Sequence, residues 1–290
     1  MFGRRADGRR LNNIDPIIQF TPYIMTVRND ASNQITVNID YEPMADYIRT
    51  RSKQGVKITF MDLIIAAYVR TVSQYPEVNR FVMNRQIFAR NQIVVSLTVL
   101  KNAKDRDSLD EDTIKMHFAP DATIDEVAQE VARMVAPAAN DAADGTSDFA
   151  GKIVKIRPLV KFVVFLARVL DRYGLLPGWL YDLSPFHCSM FITNLASIGL
   201  PGMYHHLYNF GNTSVFLAMG KFEKQYINTK DGIKAKTVIP LGVNTDERIC
   251  GGASYAMACG CFMKYINNPK LLEERPETIR TEVEYKPIKK

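Results

Sequence analysis

The chain has 290 residues, of which 47% are hydrophobic and 23% charged, and its formal net charge is +6. These values exclude a disordered, fibrous or coiled-coil protein and leave room for one large domain or two ordinary ones. Basic residues crowd both ends, but no basic stripe is interleaved with aromatic residues, so we expect no nucleic-acid partner.

Cysteine spacing and the distribution of apolar residues predict a cytoplasmic protein. The sequence has no C-x-x-C pair, and the cysteine spacing fits neither a zinc site nor a disulfide framework, so we expect reduced thiols and no metal. The first arginines are not followed by an apolar run, so no signal peptide is expected. The longest apolar stretch, Leu159 to Leu176, is interrupted by four charged residues and is a poor membrane span.

The first half of the chain predicts a mixture of strands and capped helices. Residues 1–15 are expected to be a flexible basic arm, residues 16–275 one domain and residues 276–290 a C-terminal tail. Gln34 to Tyr41 alternates apolar and polar residues and predicts a half-buried strand. Thr59 caps a predicted helix that runs to about Gln74. Ile93 to Leu100 predicts a second strand. The segment from Lys101 to Asp112 is a predicted charged loop, and Thr123 begins another capped helix.

The second half is richer in strands. Ala136 to Gly151 has the composition of a linker, and Leu159 to Tyr173 predicts an amphipathic helix. Gly174 to Pro185 predicts an irregular, aromatic-rich loop. Short apolar or β-branched runs predict three buried strands, at Met190 to Thr193, Ser214 to Met219 and Thr237 to Val243. A final helix is predicted from Ala253 to Ile266, and the whole pattern favours an α+β sandwich with a mixed sheet.

Three stretches, at 56–79, 191–223 and 244–272, resemble the catalytic domain of the dihydrolipoamide acyltransferases, the core components of 2-oxo acid dehydrogenase complexes. Ile192-Thr193-Asn194-Leu195 is similar to the family's Ile-Ser-Asn-Leu-Gly. The segment 246–252, with the sequence Asp-Glu-Arg-Ile-Cys-Gly-Gly, is similar to the signature Asp-His-Arg-x-x-Asp-Gly. Chloramphenicol acetyltransferase shares the family's fold.

The resemblance implies a chloramphenicol acetyltransferase-like two-layer sandwich that forms a homotrimer, or a larger cage. It also implies acyl transfer from coenzyme A to a thiol or hydroxyl acceptor. Such a reaction needs a general base and a donor to the oxyanion. In the family the motif histidine is the base and a Ser or Thr supplies the oxyanion contact, from facing subunits. Thr193 is the corresponding hydroxyl here, and Glu247 stands at the base position.

Two positions depart from the family pattern. Glu247 replaces the histidine, and an unperturbed Glu is less basic than His by about two pKa units. Burial can raise the pKa of a carboxyl by several units, so a Glu base stays chemically feasible. Gly251 replaces the family's Asp, which helps to hold the site. The sequence therefore predicts an acyltransferase relative with weakened, redirected or lost activity.

Three other candidates could replace the missing base or nucleophile. Cys250 could accept an acyl group, although a free cysteine is more often a buried small side chain. His205 and His206 could supply a base, although an adjacent pair on a loop more often has a structural role. His187 could also supply one, with the same structural interpretation as the alternative. Two residues of the motif, Asp246 and Arg248, are expected to form a structural ion pair, and Asn194 and Gly252 to shape the surrounding backbone.

An extra segment at about 152–186 exceeds the family's usual length before the Asn-Leu strand. It could cover the substrate channel, form a contact between trimers or simply pack on its own subunit. Three functions stay open: a degenerate acyltransferase, a non-catalytic trimeric scaffold or cage, and a binding module that keeps the coenzyme A channel as a sensor.

Overall fold

The structure is a computed structural model that describes residues 4–101, 110–139, 157–230 and 232–288. The strands are β1 (Arg4–Arg5), β2 (Gly8–Arg10), β3 (Ser32–Asp40), β4 (Arg80–Met83), β5 (Gln86–Arg90), β6 (Ile93–Lys101), β7 (Asp110–Phe118), β8 (Met190–Asn194), β9 (Val215–Met219), β10 (Glu223–Thr229) and β11 (Gly232–Asp246). The helices are α1 (Pro16–Ile24), α2 (Tyr41–Lys53), α3 (Phe60–Gln74), α4 (Ile124–Ala139), α5 (Arg157–Arg172), α6 (Gly178–Leu183) and α7 (Gly252–Asn267).

The main sheet is mixed and has the order β10-β11-β9-β8-β6-β7, with β3 also paired to β11. The β6–β8 and β8–β9 pairs are parallel and the other pairs are antiparallel. Helices α2, α3, α4 and α7 pack with this sheet around the principal core. The predicted α+β architecture with a mixed sheet is therefore confirmed.

Helix α3 lies at the centre of the core because its sequence is apolar on nearly every side. All residues from Met61 to Ser73 are buried. Thr59 accepts a hydrogen bond from Asp62 N, and the Asp62 carboxylate accepts one from Thr59 N at 2.8 Å. This reciprocal capping satisfies two backbone donors that would otherwise lack partners. The helix that Thr59 was predicted to cap is confirmed with the expected end at Gln74.

The first residues differ from the predicted flexible arm. Strands β1 and β2 pair with each other, and β2 pairs with β5 in a second sheet of order β1-β2-β5-β4. Arg5 is buried, where its Nη2 lies 2.5 Å from Asp171 Oδ1 and 3.1 Å from Tyr181 Oη. Burial of Asp171 favours its neutral form, yet the hydrogen bond to His187 and the charges of His187 and Arg5 lower its pKa to about 2. The pairing of the Arg5 guanidinium with Asp171 holds this segment in place, and composition alone does not predict it.

Several other boundaries are corrected. The predicted charged loop from Lys101 to Asp112 is shorter in the structure, because Lys101 ends β6 and Asp110 begins β7. Residues 102–109 lie outside the described residues. Helix α4 continues to Ala139, and residues 140–156 of the predicted linker are likewise outside them. The predicted irregular loop contains α6. The predicted tail packs on the domain, since Arg80 pairs with Glu282 and Arg280 N donates to Ser73 O.

The amphipathic helix predicted from Leu159 to Tyr173 is confirmed as α5, which spans Arg157–Arg172. No helix in the described ranges is long and apolar enough to cross a membrane.

Candidate active site

The segment that resembles the acyltransferase signature lies at the C-terminal end of β11. Asp246 is fully buried and accepts two parallel hydrogen bonds from Arg248, at 2.8 and 2.7 Å. Arg28 Nε lies 3.5 Å from Asp246 Oδ2, and Tyr255 Oη donates to the Asp246 carbonyl at 2.7 Å. The structure thus forms the expected ion pair between Asp246 and Arg248. This buried pair fixes the turn that presents Glu247.

Glu247 itself is exposed in the single chain. Its backbone N donates to Ala31 O at 2.8 Å, which ties the turn to the start of β3. Its side chain is open to solvent, so this chain alone does not bury it. The desolvation that a carboxylate base requires would have to come from another molecule.

Thr193 lies at the end of β8, next to a large cavity. The cavity has a volume of about 830 Å³ and is open to solvent. Apolar side chains form most of its wall, including Phe60, Leu97 and Val131, while Lys57 and Lys221 also line it. Asn194 accepts a hydrogen bond from Ser197 N at 3.3 Å and so shapes the turn that follows Thr193. The volume falls within the range of small-molecule sites.

The structure does not bring Thr193 and Glu247 together within one chain. Thr193 pairs with Ala218, near the C-terminal end of β9, whereas Asp246 N donates to Ser214 O, just before β9 begins. Ala218 and Ser214 are four residues apart, which is about 13 Å along a strand. The two candidate residues therefore lie at opposite ends of the sheet, and they could meet only across an interface.

His205 and His206 lie on a segment that runs along β11, from Gly202 near Pro240 to His205 near Asn244. This segment runs close against the sheet because glycines leave room for it: a Cβ on Gly242 would lie 2.0 Å from Met203 O. The His205 ring stacks on Phe216 at 4.1 Å, and its carbonyl accepts from Asn244. Burial lowers the pKa of His205. Asn244 is two residues from Asp246, so the histidine pair lies at the Glu247 end.

The remaining candidate residues are buried or lie at the start of a helix, where they have structural roles. Cys250 is buried, and burial, only partly offset by the charge of Arg80, raises the pKa of its thiol to about 12. A protonated, inaccessible thiol is a poor nucleophile, which favours the core interpretation. His187 is also buried and bridges Ser184 Oγ at 2.7 Å and Asp171 at 3.1 Å. Gly251 is the N-cap of α7, and Gly252 begins that helix.

Sequence inspection missed Arg28 and the two cavity lysines. Arg28 is buried, and its guanidinium donates to the carbonyls of Tyr208 and Gly211 at 2.7 and 2.9 Å. It joins the signature turn to the segment that carries His205, yet no local pattern marks it. Lys57 and Lys221 lie inside the stretches 56–79 and 191–223 that resemble the acyltransferases, so the sequence did mark their surroundings. No group of three or more metal-ligating side chains is clustered within the described residues.

Comparison with solved structures finds proteins of the same fold. The chain of the cubic core of the pyruvate dehydrogenase multienzyme complex matches with a TM-score of 0.57 and 13% identity, over 91% of this chain and 94% of that one. Chloramphenicol acetyltransferase matches with a TM-score of 0.51 and 15% identity, over 90% and 98%. The chain has the fold of these acyltransferases.

A third acyltransferase match bears on the site. Azotobacter vinelandii dihydrolipoamide acetyltransferase matches with a TM-score of 0.56 and 12% identity, over 91% of this chain and 94% of that one. That structure addresses the role of a serine, a histidine and an asparagine in the enzyme's catalytic mechanism. No family model matches this sequence, and a search of curated proteins found no match.

Proposed function

We propose that the protein is an acyltransferase of altered reactivity, which transfers an acyl group from coenzyme A to a thiol or hydroxyl acceptor in an oligomer. The observation that carries the proposal is the cavity of about 830 Å³ beside Thr193 in an acyltransferase fold. Its apolar wall suits an acyl chain, and Lys57 and Lys221 can pair with the phosphates of coenzyme A. Glu111 also lines the cavity, so its charge is mixed.

In this proposal the hydroxyl of Thr193 donates to the oxyanion and Glu247 takes the acceptor proton. Because the two lie at opposite ends of one chain's sheet, the working site forms between neighbouring copies, in agreement with a trimer. Helix α1 supports an interface there. Its Phe20 is 61% exposed, and Thr21 Oγ1 lies 3.4 Å from Arg248 O, next to Glu247. A second copy seated on α1 would also bury the Glu247 carboxylate.

Calorimetric titration with coenzyme A and acetyl-coenzyme A tests the cavity. We expect micromolar binding, and we expect Ala196→Trp to abolish it because Ala196 lines the cavity. Ala235→Trp is the matched control, since Ala235 is exposed at the start of β11 and does not line the cavity. Turnover with a small thiol acceptor tests the base, and we expect Glu247→Gln to abolish it. Absence of binding by an intact oligomer would refute the proposal.

A second function is a non-catalytic assembly protein. The exposure of Glu247, together with Gly251 at the family's Asp position, favours it, since neither residue supplies the usual base arrangement. Native mass spectrometry should then show a closed multiple of three subunits, while acetyl-coenzyme A neither binds nor turns over. A monomer at working concentration would contradict both functions.

A further inference from the structure

Helix α5 leaves much of its apolar surface exposed, although Val160, Val163 and Leu170 are half-buried. Asp171 is the buried residue of this helix, and Phe162, nine residues earlier, lies about half a turn away on the opposite side. Phe162 and Phe165 are 60% and 64% exposed, and Leu166 is 42% exposed. An apolar helix face of this size usually turns toward a core. Here it faces outward.

The chain that follows the helix also exposes large apolar side chains. Leu175 and Trp179 are 68% and 61% exposed, and Tyr173 is also exposed. Together, Phe162, Phe165, Leu166, Tyr173, Leu175 and Trp179 form a surface that we call the α5 face. Large aromatic residues that combine an apolar ring with a polar group are typical of the boundary between water and the acyl chains of a membrane.

A stripe of cations borders the α5 face. The four basic residues of α5 are spaced so that they fall within about 60° of one another around the helix axis, directly beside Phe165. They are Arg157, Lys161, Arg168 and Arg172, all exposed. Among the described residues, no carboxylate forms an ion pair with any of them. The single acid of the helix, Asp171, is buried and paired with Arg5.

This charge distribution favours one of two occupants of the α5 face. In a two-fold contact with a second copy of the chain, the same helix would offer cations and no exposed carboxylate, so the stripe would meet no complementary charge. An anionic lipid surface would satisfy both the stripe and the apolar face. An amphipathic helix with cations beside aromatic and leucine residues has the pattern of helices that lie in the membrane interface.

We propose that the α5 face binds the surface of an anionic phospholipid bilayer, with the helix lying in the plane of the headgroups. Phe162, Phe165 and Trp179 enter the boundary of the acyl chains, and Arg157 and Lys161 contact lipid phosphates. No helix of the described ranges crosses the bilayer in this arrangement. The proposal does not depend on acyl transfer, because the α5 face is separate from the cavity beside Thr193.

Vesicle flotation of the full chain tests the proposal. The probes are vesicles of phosphatidylcholine alone and vesicles in which a third of the lipid is phosphatidylglycerol. We expect flotation with the anionic vesicles at low salt, much weaker flotation at high salt and none with the neutral vesicles. Equal binding to both vesicles, or none to either, would overturn the proposal.

Paired variants locate the binding surface. Phe162→Asp combined with Phe165→Asp should lower the fraction bound at least tenfold. The control Met257→Asp, at an exposed apolar residue of α7, should leave binding unchanged. Arg157→Gln combined with Lys161→Gln should weaken binding by about fivefold for each charge removed. Lys224→Gln combined with Lys270→Gln, at exposed lysines elsewhere, is the matched control.

Native mass spectrometry of the same variants identifies the competing occupant. If the Phe162 and Phe165 substitutions dissociate a larger assembly while vesicle binding persists, the α5 face is a contact between copies and the proposal is wrong. If the mass is unchanged and vesicle binding is lost, the membrane assignment holds. The glutamine variants keep this test informative should the aspartate variants fail to fold.

Discussion

At the scale of single residues, Glu247 and Gly251 are the two departures from the acyltransferase signature. A Cβ at Gly251 would lie 3.7 Å from Ile18 Cδ1, an ordinary contact, so the backbone there accepts a residue with a side chain. Histidine at 247 is more basic than glutamate by about two pKa units. We therefore expect Glu247→His combined with Gly251→Asp to raise acetyl transfer to a thiol acceptor by at least about tenfold. The measurement is the initial rate with acetyl-coenzyme A.

Gly251→Asp alone serves as the control for this pair, and it should leave the rate unchanged while it adds a better N-cap to α7. A double variant that folds, binds acetyl-coenzyme A and turns over no faster than the original protein would show that the identity of residue 247 does not limit the reaction.

His187 makes stability depend on pH. Burial lowers the pKa of this histidine, despite the hydrogen bond to Asp171. Its pKa in the unfolded chain is about 6.5, so below that pH the unfolded chain binds more protons than the folded one. The free energy of unfolding should therefore fall as pH drops from about 7 to 5. Urea unfolding across this range measures the slope.

The His187→Gln variant isolates this contribution. Its overall stability should be lower, since a buried hydrogen bond is disturbed, but its pH slope should be shallower. His117 and His205 also have pKa values lowered by burial, so part of the slope should remain. An unchanged slope would mean that His187 is not the responsible group.

Motif matching proposes Thr193 and Glu247 as site residues because a few residue types in a fixed order mark their positions. It could not find Arg28, since its role depends on contacts with residues about 180 and 220 positions away. Nor could it settle Cys250, because neighbours distant in sequence decide whether a thiol is buried. Local spacing in the sequence identifies the positions of a motif, whereas the burial of a side chain and its distance from other residues depend on the tertiary fold.

At the scale of elements, the segment that carries His205 depends on glycines of the sheet. A methyl group on Gly242 would lie 2.0 Å from Met203 O, a backbone atom that cannot move without the whole segment. We expect Gly242→Ala to lower the free energy of unfolding by about 1–3 kcal/mol. Chemical denaturation followed by circular dichroism checks this value.

Gly260→Ala provides a control of opposite sign. Gly260 lies inside α7 with nothing near its missing Cβ, so alanine should stabilise the helix by about 0.5–1 kcal/mol. If both substitutions shifted stability in the same direction, the close approach between Gly242 and Met203 would not be the cause.

Elements with strong periodicity were predictable, and those stabilised by remote partners were not. An apolar run and a capping residue predict helix α3 from the sequence, and its predicted bounds are confirmed. The β10–β11 hairpin was missed in its outer part because most of those residues are exposed, and Tyr226, Ile227 and Ile233 stand among lysines without forming one apolar face. Strands β1 and β2 were missed because Arg5 lies in an arginine-rich segment that composition alone assigns to solvent.

At the scale of the whole molecule, the separation of Thr193 from Glu247 predicts a site shared between copies. Thr193→Val removes the proposed oxyanion donor and Glu247→Gln removes the proposed base, so each variant alone should be inactive. If one copy supplies each residue, mixed oligomers of the two variants contain interfaces with both original side chains. Random mixing in a symmetric oligomer should restore about a quarter of the original activity.

Coexpression of the two variants, followed by measurement of acetyl transfer per chain, checks this expectation. Each purified variant alone is the control, and native mass spectrometry confirms that mixed oligomers have formed. A site contained within one chain would give no recovery, since every chain in the mixture lacks one residue. Recovery would place the reacting groups across an interface, because the roughly 13 Å offset along the sheet separates them in any single copy.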